Sequence, residues 1–103
     1  MTARPTVLFY CQHSLGLGHL VRSFALAQGL SERFRVVLLN GGPMPRGFVP
    51  PAAVEIVSIA PLGMDTDGML VSRDGRRTVA RALALRHEQI MRVVEAVRPD
   101  VIF

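Results

Sequence analysis

The sequence has 103 residues, of which 50% are hydrophobic and 19% charged, and its formal net charge is +4. This length suits one small domain or a part of one, and the hydrophobic content excludes a disordered tail. A single cysteine excludes a disulfide framework. No apolar run approaches the ~18 residues of a membrane span, and the run near the start is too short for a signal peptide. We therefore expect a cytoplasmic protein.

The basic residues are all arginines, so lysine-dependent chemistry such as a Schiff base or a Walker-type phosphate site is excluded. Only Arg73, Arg76 and Arg77 cluster, and a solvated helix start is favoured there over a phosphate or lipid-headgroup site. The six aromatic residues form no base-stacking array, so no nucleic-acid partner is expected. An anionic small substrate, or peripheral contact with a negatively charged membrane, accounts for the charge equally well.

The first half of the chain predicts a strand, a helix and a second strand. Residues 7–11 (VLFYC) form a continuous apolar run typical of a strand buried on both faces. A glycine-bearing turn over 14–18 follows, and a helix is predicted from His19 to about 31–33. Its apolar stripe consists of Leu20, Phe24, Ala27 and Leu30, widened by Val21 and Ala25. Residues 34–39 (FRVVLL) are the second predicted strand.

The second half predicts an irregular crossover over 41–53, a strand over 54–59 and a long polar loop over 60–77. A helix is predicted over 78–97, and a fourth strand begins at Val101. The apolar face of this helix is predicted to consist of Leu83, His87, Ile90, Val94 and Val97. On that face His87 is interpreted as a core histidine.

Alternation of buried strands with crossovers predicts an α/β domain with a Rossmann-like parallel sheet, half of a doubly wound fold. The fourth strand is expected to pair with the first. Because the sequence stops soon after that strand starts, residues 1–103 are interpreted as an incomplete domain. An uncovered sheet strand exposes apolar surface, so we expect the fragment to self-associate.

The first strand–helix turn is the predicted site, because ligands of such folds bind at the carboxyl ends of the strands. Gly16 and Gly18 allow the backbone to approach a ligand, and free N–H groups at a helix start suit an anion. His19 follows at once, and the positive helix end favours its neutral, proton-accepting form. Arg22 and Ser23, three and four residues on, are expected to flank His19. The alternative is that His19 only caps the helix.

Other chemistries are weighed against this site. A dinucleotide fingerprint fails because Val21 replaces its third glycine and Asn40 replaces the acidic residue that grips a ribose. Cys11 and His13, two residues apart, raise the alternative of a thiolate–histidine pair, but Cys11 ends an apolar run and is expected to be inert. His13 is kept as a further cleft residue, with a strand-end histidine bonded to the backbone as the alternative. Asp65 and Asp67 form a DxD pair, for which a turn is favoured over a metal site.

The stretch YCQHSLGLGHLVRSFALA over residues 10–27 resembles the first strand–loop–helix of GT-B glycosyltransferases. It is most similar to a predicted bacterial group whose opening carries the motif GLGHxxR. The resemblance extends to LLNGGP at 38–43 and PLGMDTDG at 61–68. Related turns occur in the lipid-linked N-acetylglucosaminyltransferase of cell-wall synthesis and in the nucleotide-sugar hydrolase of pseudaminic acid synthesis.

The resemblance implies that residues 1–103 are the N-terminal, acceptor-side domain, and that a C-terminal nucleotide-sugar domain is absent from this sequence. It implies a catalytic histidine at His19, a nucleotide-diphosphate sugar as donor, a hydroxyl acceptor, and no metal or other cofactor. The fragment alone is expected to be inactive. A nucleotide-sugar hydrolase, in which His19 activates water, and a non-catalytic acceptor-binding subunit remain as alternatives. A role in acceptor contact also stays open for the loop at 60–77.

Overall fold

The computed structural model describes residues 4–12, 18–42, 47, 49–64, 69–73 and 78–103, and for residues 18, 19 and 64 it describes the backbone. Its elements are β1 Thr6–Cys11, α1 Gly18–Leu30, β2 Arg35–Asn40, β3 Glu55–Ser58, β4 Leu62–Met64, β5 Leu70–Ser72, α2 Val79–Val97 and β6 Val101–Ile102. The predicted order of the main strands and helices is confirmed. Their boundaries agree with the predicted ones to within three residues.

Four parallel strands form the main sheet in the order β3-β2-β1-β6. The ladder between β1 and β2 runs from Thr6 opposite Arg35 to Cys11 opposite Asn40. β6 pairs with β1 through Val7 opposite Val101, as predicted. The chain is thus α/β with a parallel sheet and two helices, an arrangement compatible with a Rossmann-like half-domain.

Both faces of the sheet are covered, which explains the continuous apolar runs in β1 and β2. On one face, Phe9 and Leu38 pack with Leu20 and Phe24 of α1. On the other face, strand residues pack with α2; this cluster contains Leu8, Val37, Leu39 and Ile59 with Ile90, Val93, Val94 and Val97. Successive side chains of a strand point to opposite faces, so the central strands contribute side chains to the packing of both helices.

Helix α1 buries a narrower stripe than predicted. Leu20 and Ala27 are fully buried, but Val21 is 48% exposed and Ala25 is also exposed. The widening of the stripe by these two residues was therefore wrong. Leu20, Phe24 and Ala27 already fill the space between the helix and the sheet, so their neighbours one position on turn towards solvent.

The apolar face of α2 is only partly as predicted. Ile90, Val94 and Val97 pack on the sheet, but Leu83 is 45% exposed and His87 is exposed, so the core-histidine interpretation was wrong. Ala82 and Arg86 take the buried positions instead. The helix turns its small residue Ala82 towards a cluster with Ala60 and Leu62, which the periodicity alone could not indicate.

Part of the predicted loop over 60–77 is a β-hairpin. β4 and β5 pair antiparallel, with Leu62 opposite Ser72 and Met64 opposite Leu70. Leu62 is 2% exposed and packs with Ala82 of α2, so the hairpin is attached to the body of the protein. The prediction of a long polar loop was therefore wrong for these two strands, because strands of three residues carry little periodic signal.

The ends of α2 are fixed by local hydrogen bonds. The hydroxyl of Thr78 accepts a hydrogen bond from the backbone N–H of Arg81 at 3.2 Å, an N-cap. At the other end Arg98 adopts the left-handed conformation, with φ 51°, and its N–H donates to the carbonyl of Val94. The carboxylate of Asp100 then accepts from the N–H of Thr6 at 2.8 Å, which joins β6 to β1.

Candidate functional site

The carboxyl edge of the sheet is where the candidate site lies. β1, β2 and β3 end there at Cys11, Asn40 and Ser58, and β6 ends at Ile102. The strand order reverses between β1 and β6, because the chain moves outward from β1 to β3 and then crosses back to the other side of β1. In open α/β sheets such a switch point forms the ligand crevice.

The predicted site residues fall on this edge only in part within the described structure. α1 begins at Gly18, so the backbone of Gly18 and His19 forms its first turn, after the carboxyl end of β1. The side chain of His19 lies outside the described residues, as do Gly16 and His13 entirely. Arg22 is exposed, whereas Ser23 is 5% exposed. These two side chains therefore differ in their access to a ligand.

Arg86 is the main feature of this edge that sequence reasoning missed. It is 7% exposed and projects from α2 to the ends of the strands. Its Nε donates to the carbonyl of Ala60 at 3.1 Å, and its Nη1 donates to the hydroxyl of Tyr10 at 2.8 Å. Its Nη2 donates to the carbonyl of Gly41. One guanidinium thus joins the chain segments that follow β2 and β3 to the end of β1.

The charge of Arg86 is balanced by no carboxylate in the part of the chain that the structure describes, since its three acceptors there are neutral oxygens. Burial lowers the pKa of Arg86 by disfavouring the charged form, and the nearby Tyr10 opposes this effect. The guanidinium carbon also lies 5.9 Å from the centroid of the Tyr10 ring, within cation–π range. Buried charges are normally paired, so this arrangement leaves a positive potential at the edge.

Gly41 is surrounded by the side chains of Arg86 and Gln12. A Cβ at Gly41 would lie 2.5 Å from Nη2 of Arg86 and 2.6 Å from Oε1 of Gln12. Gln12 also donates to the carbonyl of Leu62 at 2.9 Å, and the Leu62 N–H donates to the carbonyl of Gly41. The glycine is therefore required for the close approach of these side chains, although the sequence placed it only at the start of an irregular crossover.

Asn40 and Gln89 complete the bonding of this edge. The side-chain oxygen of Asn40, which is 1% exposed, accepts from the N–H of Gly42 at 3.3 Å. Gln89 of α2 accepts from the N–H of Ala60 at 2.7 Å. The side chain of Asn40 is thus hydrogen-bonded to the backbone two residues further along the chain.

Of the remaining candidate residues from the sequence, Cys11 is described by the structure and three others are not. Cys11 is buried at 1% exposure and packs in the cluster against α1, whereas His13, its proposed partner, lies outside the described residues. Asp65 and Asp67 also lie outside them. Within the described ranges no group of three or more potential ligands could hold a metal ion.

Of the arginine cluster, Arg73 is exposed on the hairpin, whereas Arg76 and Arg77 lie outside the described residues. A Cβ at Gly63 would contact the guanidinium of Arg73, which therefore covers this glycine of β4.

Comparison of the chain with protein-family models, with curated proteins and with solved structures finds no match. None of the helices that the structure describes is both long and apolar enough to cross a membrane.

Proposed function

We propose that this chain is the acceptor-side, Rossmann-like part of a GT-B glycosyltransferase, which transfers a sugar from a nucleotide-diphosphate sugar to an acceptor hydroxyl. The observation that carries the proposal is the position of the GLGHxxR motif. Its described residues, 18–22, form the start of α1, which follows β1 at the carboxyl edge of a parallel sheet, beside the switch point. This is the position that the motif has in the proteins the sequence resembles.

The electrostatics of this edge support an anionic substrate. The N-terminus of α1 carries the partial positive charge of the helix, and its first N–H groups have no partner within the helix. Arg86 adds a full positive charge buried at the same edge of the sheet. The diphosphate group is negatively charged both when the sugar donor binds and when the nucleoside diphosphate leaves. Both positive features therefore favour its binding at this edge.

In this proposal His19 is the general base. As the acceptor oxygen attacks the anomeric carbon, the bond from that carbon to the diphosphate oxygen breaks and the nucleoside diphosphate leaves with the electron pair. The hydroxyl proton passes to the imidazole of His19. A histidine at a helix N-terminus is disfavoured in its charged form, which keeps a proton acceptor at neutral pH.

The test uses the full-length protein that carries this sequence and a panel of nucleotide-diphosphate sugars, each offered with and without hydroxyl acceptors. We expect release of nucleoside diphosphate that depends on the acceptor, with the sugar recovered on that acceptor. Rapid release of free sugar without an acceptor would instead support the nucleotide-sugar hydrolase. No turnover of any donor would contradict both enzymatic functions and leave the binding subunit.

A further inference from the structure

Tyr10 and Arg86 form a pair of hydrogen-bond donors at the switch point between β1 and β6. Tyr10 belongs to β1, and its backbone N–H donates to the carbonyl of Phe103, beyond the end of β6, at 3.0 Å. Its side chain is 39% exposed, whereas Arg86 behind it is 7% exposed. The phenol of Tyr10 is therefore partly exposed at the surface, and the guanidinium of Arg86 to which it is bonded is buried.

Tyr10 and Arg86 have more hydrogen-bond donors than their described contacts use. The hydroxyl of Tyr10 accepts from Nη1 of Arg86, so its own proton is directed elsewhere, and no acceptor for it exists among the described residues. A guanidinium has five N–H donors, and the described contacts of Arg86 use three of them. All three acceptors are neutral, so the positive charge has no counter-charge there.

We propose that Tyr10 and Arg86 form a binding site for a phosphate-type oxyanion, either inorganic phosphate or a phosphate group of a larger ligand. The anion accepts the hydroxyl proton of Tyr10 and lies close enough to the guanidinium to balance its buried charge. A phenol that accepts a hydrogen bond from a cation is a stronger donor than a free one, because successive hydrogen bonds polarise each other.

Phosphate suits the pair because its several oxygens accept hydrogen bonds from more than one direction and it carries up to two negative charges at neutral pH. The N-terminus of α1 lies at the same edge and adds positive potential of the same sign. The proposed site consists of residues of this chain, and phosphate binding there does not depend on glycosyl transfer by His19.

The experiment is an NMR titration of the chain at constant ionic strength with inorganic phosphate, with glucose 1-phosphate as a phosphate monoester and with sodium chloride as the ionic control. We expect saturable shifts of the Arg86 Nε–H signal and of the Tyr10 ring signals with at least one phosphate compound. The preferred compound tells whether free phosphate or a phosphate ester is the ligand. Equal effects of chloride and both phosphates, or no change at Arg86, would overturn the proposal.

Three variants locate the binding. Tyr10→Phe removes the outward donor, keeps the ring and keeps Arg86, and it should weaken phosphate binding by about tenfold or more, since a hydrogen bond to a charged group is lost. Arg86→Lys keeps the charge but loses the planar fork, and it should also weaken binding. Arg92→Gln on the same helix, an exposed arginine paired with Glu88, should bind phosphate as the original chain does.

The Tyr10→Phe result decides the question if Arg86→Lys does not fold, because this variant leaves the bonds from Arg86 to Ala60 and Gly41 in place. Phosphate affinity unchanged by Tyr10→Phe would overturn the site. A loss of phosphate affinity in Arg92→Gln as large as that in Tyr10→Phe would do the same, since an exposed arginine outside the site would then matter as much as the site itself.

Discussion

The guanidinium of Arg86 donates a hydrogen bond of 2.8 Å to the hydroxyl of Tyr10, 76 residues away in the sequence. The same guanidinium bonds to the carbonyls of Gly41 and Ala60, so one side chain of α2 connects the segments at the carboxyl ends of β1, β2 and β3. The geometry of the candidate site therefore depends on how α2 packs against the sheet as well as on the pairing of the strands.

Arg86→Met should lower the free energy of unfolding by about 3 kcal/mol or more, because it leaves the carbonyl of Ala60 and the hydroxyl of Tyr10 without their donor from Arg86. It also removes one of the two donors to the carbonyl of Gly41, which keeps the N–H of Leu62. Chemical denaturation of the chain measures this loss. The matched control is Arg92→Met, whose arginine is exposed and pairs with Glu88 one turn earlier. It should change stability by less than about 0.5 kcal/mol. Equal losses in the two variants would contradict the role given to Arg86.

Gly41→Ala should destabilise the chain by about 1–3 kcal/mol, because the new Cβ would lie 2.5 Å from Nη2 of Arg86 and force it or Gln12 to move. Gly29→Ala is the control. Gly29 lies within α1 with nothing within 4 Å of an added Cβ, so alanine should stabilise the helix by about 0.5–1 kcal/mol. Thermal unfolding distinguishes the two signs. A neutral or stabilising Gly41→Ala would show that the side chains around Gly41 are not closely packed.

The Arg35–Glu55 pair should make stability depend weakly on acid pH. The hydrogen bond from Arg35 to Glu55, 2.7 Å from Nε to Oε2, lowers the pKa of this carboxyl below its ordinary value of 4.5. A lowered folded-state pKa means that the stabilisation is present above about 4.5 and is lost as the pH falls through the folded value. Both side chains are about half exposed, so the effect is small and screened by salt.

Denaturation of the original chain and of Glu55→Gln between pH 2 and 7 measures this dependence. The two curves should converge at low pH and separate above the ordinary pKa, with less separation in 1 M salt. Curves that stay parallel throughout the range would contradict a stabilising role for the ion pair.

The outer edge of β6 should promote self-association of the 103-residue chain. Val101, Ile102 and Phe103 are 46%, 67% and 64% exposed, and exposed apolar strand edges tend to pair with other chains. Ile102→Lys should reduce association measured by light scattering, whereas Val49→Lys, at an apolar residue that is 85% exposed outside the described strands and helices, should not. A monomeric original chain at high concentration would contradict this prediction.

The main sheet and its helices could be predicted from the sequence because their signals are strong and local. Buried parallel strands give continuous apolar runs, such as VLFYC, and helices give a 3.6-residue period. The pairing of β6 with β1 also followed from the alternation of strands and crossovers. These features depend on hydrophobic pattern alone.

What could not be predicted depends on contacts between distant residues. An arginine on a helix is normally assigned to solvent, and only the meeting of Tyr10, Gly41 and Ala60 makes a buried position for Arg86 favourable. The same packing turns His87 of the predicted apolar face outward and buries Ala82, which lies outside that predicted face. For the candidate site, the sequence predicts the turn before α1, of which residues 14–17 lie outside the described residues, whereas the hydrogen bond between Arg86 and Tyr10 at the same edge came only from the structure.

The role of His19 as general base is tested by the turnover of His19→Ala in the full-length protein, compared with the unaltered protein and with His87→Ala. We expect His19→Ala to fold normally and to lose about 100-fold or more in the rate of acceptor-dependent sugar transfer, because a positioned general base contributes about 10²–10⁴-fold. His87 is exposed on α2, so His87→Ala should keep both turnover and stability. Near-normal transfer by His19→Ala would contradict the assignment of the base and would make His13 the next residue to test.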